Sequence, residues 1–213
     1  FVKFVDLAQP KAVVIENVRG IITSNNGYAK DRIYEIFEER GYKVTHKILD
    51  ASDYGVPQKR LRNFFVITKG NEFDFEKMTK TKDIVTVKEA LSELYHFDKG
   101  LINKEGVYSL ETTPNTDYLK YLRNNENIIY NHEIKYPAEI VQERISHVPQ
   151  GGNWRDIPEE LFSNQRSNRH SSAYKRLNEQ DTSVTIDTGN AHSNYFHPLY
   201  NRIPTVREAA RLQ

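Results

Sequence analysis

The chain has 213 residues, 38% of them hydrophobic and 28% charged, with a formal net charge of +1, which suits one globular domain or two small ones with a modest core. It has no cysteine, which excludes disulfides, cysteine-ligated zinc and a cysteine nucleophile among these residues. No apolar run nears the length of a membrane-spanning helix, and the near-neutral charge leaves any nucleic-acid binding to local clusters.

Phe1 begins inside an amphipathic helical pattern and Gln213 stops inside another, so both ends read as cuts, with no signal peptide. KAVVI (11–15) is a short apolar run, as for a strand buried on both faces. Residues 28–40 put Ile33, Ile36 and Phe37 on one helical face, and Gly41 supplies a stop. KVTHKIL (43–49) alternates like a strand, YGVP (54–57) is a turn, and NFFVIT (63–68) reads as a central strand. This order predicts a mixed, mostly parallel sheet, one part of a doubly wound domain. From Asn71 the chain turns polar. TVKEALSEL (86–94) predicts a helix capped by Thr86 with Glu89 three residues on. TDYLKYLRNN (116–125) and AEIVQERISHV (138–148) predict short helices, and SAYKRL and SVTIDT predict short strands. PTVREAARLQ (204–213) starts a helix at Pro204 and Thr205, with Val206, Ala209 and Ala210 on one face. The predicted organisation is an α/β part over 1–75, a linker and irregular α+β region over 76–200, and the start of a helix over 201–213.

Several clusters carry chemistry. Glu16 and Asn17 follow the apolar run VVI directly, at the end where parallel strands place ligands. A carboxyl beside an amide reads an edge with donors and acceptors, such as a nucleobase, or is a surface Glu beside a turn Asn. Gln58, Arg60 and Arg62 are spaced by two, so on a strand they share a face. They form an anion site, or an edge strand defended by charge. LFSNQRSNRHSSAYKRLN (161–178) holds Arg166, Arg169, His170, Lys175 and Arg176 with no acidic residue: a nucleic-acid surface or a solvated basic face. QGGNW (150–154) is a ligand loop or a tight connection. The seven histidines do not converge as metal ligands, so no metal site is expected.

Taken in order, VVIENVRG, LDASDYGVPQKRLRNFFVI, a long variable region and HPLYNRIPTVREAARLQ resemble the sixth to ninth motifs of the DNA (cytosine-5)-methyltransferase family. The variable region falls where that family has its target recognition domain. The resemblance implies the distal part of a Rossmann-like S-adenosylmethionine-dependent sheet plus an irregular recognition domain. It also implies a bacterial cytoplasmic enzyme of the restriction–modification kind that acts on double-stranded DNA. The family's glycine-bearing cofactor strand, its Pro-Cys nucleophile motif and its tenth motif have no counterpart here. The S-adenosylmethionine site is therefore expected largely outside this chain.

By this resemblance Glu16 holds or protonates cytosine N3, and Arg62 contacts O2 of a base flipped from the duplex. Asn17 holds the loop of Glu16, Arg60 supports the site through its backbone, and Gln58 fixes the strand's start. Thr185 lies near the flipped nucleotide's backbone, while Arg207, Glu208 and Arg211 scaffold the recognition domain. Arg166, Arg169, Lys175 and Arg176 are the candidate DNA contacts. The competing readings are a non-catalytic DNA-binding or specificity module, and one half of a split enzyme completed by another chain.

Overall fold

The computed structural model describes residues 1–98, 105–162, 173–187 and 195–213. The chain forms two compact units, one of Phe1–Tyr54 with Arg60–Thr81, the other of Gly55–Lys59 with Lys82–Gln213. The expected boundary at residue 75 lies a few residues later, and the C-terminal helix belongs to the second unit rather than standing apart.

The first unit is a three-stranded sheet with two helices. Strands β1 (Ala12–Val18), β2 (Lys43–Asp50) and β3 (Leu61–Thr68) take the order β1-β3-β2. β3 is central, as its apolar run predicts, but it runs antiparallel to both neighbours. This corrects the expectation of mostly parallel pairing. The link from Asp50 to Leu61 is too short for a parallel crossover, which takes a dozen residues or more, so the chain turns back. The longer link carrying helix α2 (Tyr28–Glu38) leaves β1 and β2 pointing the same way, with β3 between them.

The period of two decides what is buried. Val13 on β1 and Phe65 and Ile67 on β3 share a face and pack with Val44 of β2, Phe37 of α2, Tyr42, and Val5 of helix α1 (Val2–Ala8). The other face of β1 is open, with Val14 61% exposed and Val18 57% exposed. β1 is thus a one-faced edge strand, not one buried on both sides. α2 ends as its sequence predicts. Gly41 takes φ +75°, and the Tyr42 N–H closes back onto the Phe37 carbonyl, a bond that needs a left-handed residue.

The second unit has little regular structure. Its elements are α3 (Val87–Leu91), β4 (Tyr108–Ser109), α4 (Asp117–Arg123), β5 (Ile128–Ile129), α5 (Glu139–Ser146), β6 (Lys175–Arg176), β7 (Tyr195–Phe196) and α6 (Val206–Leu212). Threonine caps start three of the helices. The hydroxyls of Thr86, Thr116 and Thr205 accept the N–H groups of Glu89, Leu119 and Glu208. Glu208 returns the bond by accepting from the Thr205 N–H at 2.7 Å. QGGNW is a tight connection. Gly151 and Gly152 exchange backbone bonds with Arg176, and a Cβ on Gly152 would meet Asp156 Oδ2 at 2.5 Å.

Buried charges knit this unit. Arg202 donates two bonds to the Glu208 carboxylate, at 2.7 and 2.9 Å, and one to Asp98 at 2.8 Å. Burial works to raise the Glu208 carboxyl, but Arg202 and His197 outweigh it and hold the group well below the usual carboxylate range. Glu93 is shared by Arg123 and Arg211.

Candidate active site

Glu16 and Arg62 meet on the open face of the first unit's sheet. Antiparallel register places Val18 opposite Arg62 and Glu16 opposite Phe64, so Glu16, Val18 and Arg62 share that face. Glu16 Oε1 lies 3.5 Å from Arg62 Nε, and the two side chains are 52% and 21% exposed. Arg62 donates through Nη1 to the Leu61 carbonyl, which holds the guanidinium against the strand end. A carboxyl and a guanidinium therefore sit side by side, both open to a planar partner.

Asn17 points to the opposite face, where its Oδ1 accepts the Val18 N–H at 2.8 Å and fixes the strand end after Glu16. Arg60 contributes its backbone: its N–H goes to Asp50 Oδ1 at 3.0 Å and its carbonyl accepts from Ala51. Asp50 Oδ1 also accepts from the Ser52 N–H, so one carboxylate closes both ends of the turn that leads into β3. Sequence reasoning missed Asp50. Its signal was an Asp two residues ahead of Ser at a strand end, the usual spacing of a side-chain-closed turn.

Gln58 and Thr185 come together in the second unit. Gln58 is fully buried, donates to the Leu212 carbonyl at 3.0 Å and bridges in parallel to Ser183. The Thr185 hydroxyl donates to the Lys59 carbonyl at 3.1 Å. The spacing of two expected for Gln58, Arg60 and Arg62 does not put all three on one strand face, because β3 begins only at Leu61.

Among the basic residues, Arg176 is a correction. It is 9% exposed, and its guanidinium donates to the carbonyls of Pro198, Ile145 and Val148, so it ties loops together rather than facing DNA. Lys175 is half-buried and donates to the Gly151 carbonyl. Arg166, Arg169 and His170 lie outside the described residues. Among the described residues no group of His, Cys, Asp and Glu could hold a metal, and no helix is long and apolar enough to cross a membrane.

The mixed α/β architecture is a partial Rossmann-like methyltransferase fold. A solved structure from an E. coli prophage, described as a candidate DNA modification methyltransferase, superposes with a TM-score of 0.72. That match covers 99% of this chain and 61% of the other at 24% identity, and it speaks for the fold. The family model for C-5 cytosine-specific DNA methylases matches residues 1–213, and the chain belongs to that family. It is 31% identical to the type II methyltransferase M.DdeI of Desulfomicrobium norvegicum and 37% identical to the type II methyltransferase M1.HphI of Haemophilus parahaemolyticus. All of this chain is covered in each case, but only 54% and 50% of the relatives, so it spans about half their length.

Proposed function

We propose that this chain carries the base-holding and target-recognition part of a type II DNA cytosine-5 methyltransferase, with double-stranded DNA as substrate. The observation that carries the reading is the Glu16–Arg62 pair. Cytosine N3 and O2 are adjacent acceptors on one base edge. A protonated Glu16 donates to N3, and the guanidinium of Arg62 donates to O2. When a nucleophile adds to C6, an electron pair moves toward N3 and O2. The Glu16 O–H bond breaks as an N3–H bond forms, and the carboxylate left behind stays beside Arg62. Groups already in place where charge develops lower the barrier without reorganising.

S-adenosylmethionine, the family's methyl donor, supplies the transferred group when bound. On this reading its pocket falls largely outside these residues, because the family's glycine-bearing cofactor strand and tenth motif have no counterpart here. The chain also holds no cysteine for the nucleophile. These residues are therefore inactive alone, and a further segment, in the same chain or in another, completes the enzyme. Arg166, Arg169 and Lys175 remain the proposed DNA contacts, and Thr185 the residue beside the flipped nucleotide.

The test is Glu16→Gln in the intact methyltransferase. Methyl transfer to a cognate duplex is expected to fall by about 10²–10⁴-fold, the usual worth of a positioned acid, while duplex affinity changes little. A variant that methylates at the parent rate would sink the assignment.

A further inference from the structure

The second unit contains a cavity of about 130 Å³ lined by Arg123, Arg207 and Arg211, together with Glu126, Tyr130 and Ala210. None of the roles above uses it. Three arginines line it, and their hydrogen bonds leave donors over. Arg207 engages only its Nε, with the Tyr130 carbonyl at 2.7 Å. Arg211 engages only Nη1, with the Ala90 carbonyl and Glu93. Arg123 engages both Nη atoms, with Thr112, Asn127 and Glu93, but its Nε is buried and has no partner. Among the described residues this leaves Nε of Arg123, Nε and Nη2 of Arg211, and both Nη atoms of Arg207 without acceptors.

The charges are equally unbalanced. One buried carboxylate, Glu93, serves both Arg123 and Arg211. Glu126 is exposed and makes no ion pair among the described residues. Burial lowers the Arg211 pKa; Glu93 opposes this, and repulsion from Arg207 and Arg123 adds to it. An anion in the cavity would relieve that repulsion and accept the idle donors.

We propose that this cavity binds a phosphate-type oxyanion, gripped by Arg207 and Arg211. A planar guanidinium fork can bind two oxygens of a tetrahedral phosphate group through parallel, charge-assisted bonds. The anion is a free phosphate or a phosphodiester of DNA, since both present the same oxygens.

The experiment is thermal unfolding of the protein in inorganic phosphate against chloride at equal ionic strength. Phosphate is expected to raise the midpoint by about 2–4 °C, the scale of a ligand present a few-fold above its Kd. Arg207→Gln removes half of the grip from a half-buried position. Ala210→Glu puts a carboxylate at the cavity from an exposed helix site. Both variants should fold and lose the phosphate shift. A short duplex that competes with phosphate in the parent identifies the phosphodiester, and a duplex that does not compete identifies the free ion; either supports the site. No phosphate shift in the parent, or an undiminished shift in both variants, overturns it. Because the readout is phosphate-dependent stability, it stands apart from methyl transfer.

Discussion

The two units solve the same problem, burying backbone polar groups, in opposite ways. In the first, three paired strands satisfy one another's N–H and C=O groups, so the core can be almost wholly apolar. In the second, strands are two residues long and loops dominate. Loop carbonyls then need side-chain donors, and arginines supply them: Arg176 for Pro198, Ile145 and Val148, Arg123 for Thr112, and Arg211 for Ala90. Three small apolar clusters are joined by charge rather than by one continuous core. A region with little regular structure can be ordered, but its order depends on ionic groups in fixed protonation states.

That contrast can be broken most forcefully at Arg202. Arg202→Met strands the buried carboxylates of Asp98 and Glu208, and should cost about 3–5 kcal/mol in a urea titration. A cost under about 1 kcal/mol would mean that the buried ions do not hold the second unit.

Acid should act next, and selectively. Burial pushes the His132 ring down to about 4, against opposing help from Glu208. The ring is tied to the helix start, since His132 Nδ1 shares a 2.8 Å hydrogen bond with the Thr205 hydroxyl, which also accepts the Glu208 N–H. Between that value and the ordinary pKa of 6.5, the unfolded chain binds a proton that the folded chain refuses. Stability therefore falls as pH drops from 6.5 toward 4, by on the order of 3 kcal/mol. Below this window Glu208, whose carboxyl is depressed in the fold, loses its contribution too. His132→Gln should flatten the slope of unfolding midpoint against pH, and an unchanged slope would assign it elsewhere.

The smallest effect should have the opposite sign and lie in the first unit. Asn63 is fully buried on β3, and both of its amide atoms lack partners. Asn63→Leu should stabilise this unit by about 1–2 kcal/mol, because an unsatisfied buried amide costs more than an apolar group of similar size. A clear loss of stability would show that the amide has a bound partner, such as an ordered water.

What could be read from sequence follows the same division. In the first unit, short-range signals decide structure: the alternation of NFFVIT, Gly41 after α2, and the turn around Gly55 and Pro57. What escaped was the direction of β3, which depends on how far a ten-residue link reaches rather than on any residue preference. In the second unit the helices could be read from Thr86 and Thr205, because a hydroxyl cap is local. The role of Arg176 could not. Its neighbours Lys175, Arg169 and Arg166 suggest a basic surface, and only loops from residues 145–148 and 198–201 turn its guanidinium inward. For the candidate site, the motif order named Glu16 and Arg62, and β1–β3 register explains their proximity.

The strip Gly55–Lys59 has a practical meaning for anyone exchanging the second unit between relatives. It lies between two segments of the first unit, yet folds with the second, through Gln58 to Leu212, Lys59 to Ser183 and Thr185 to Lys59. A chimera made by splicing in Lys82–Gln213 alone would carry half of each of these handshakes and meet a foreign other half. The transplantable cassette is discontinuous: five residues from one place in the gene must travel with more than a hundred from another.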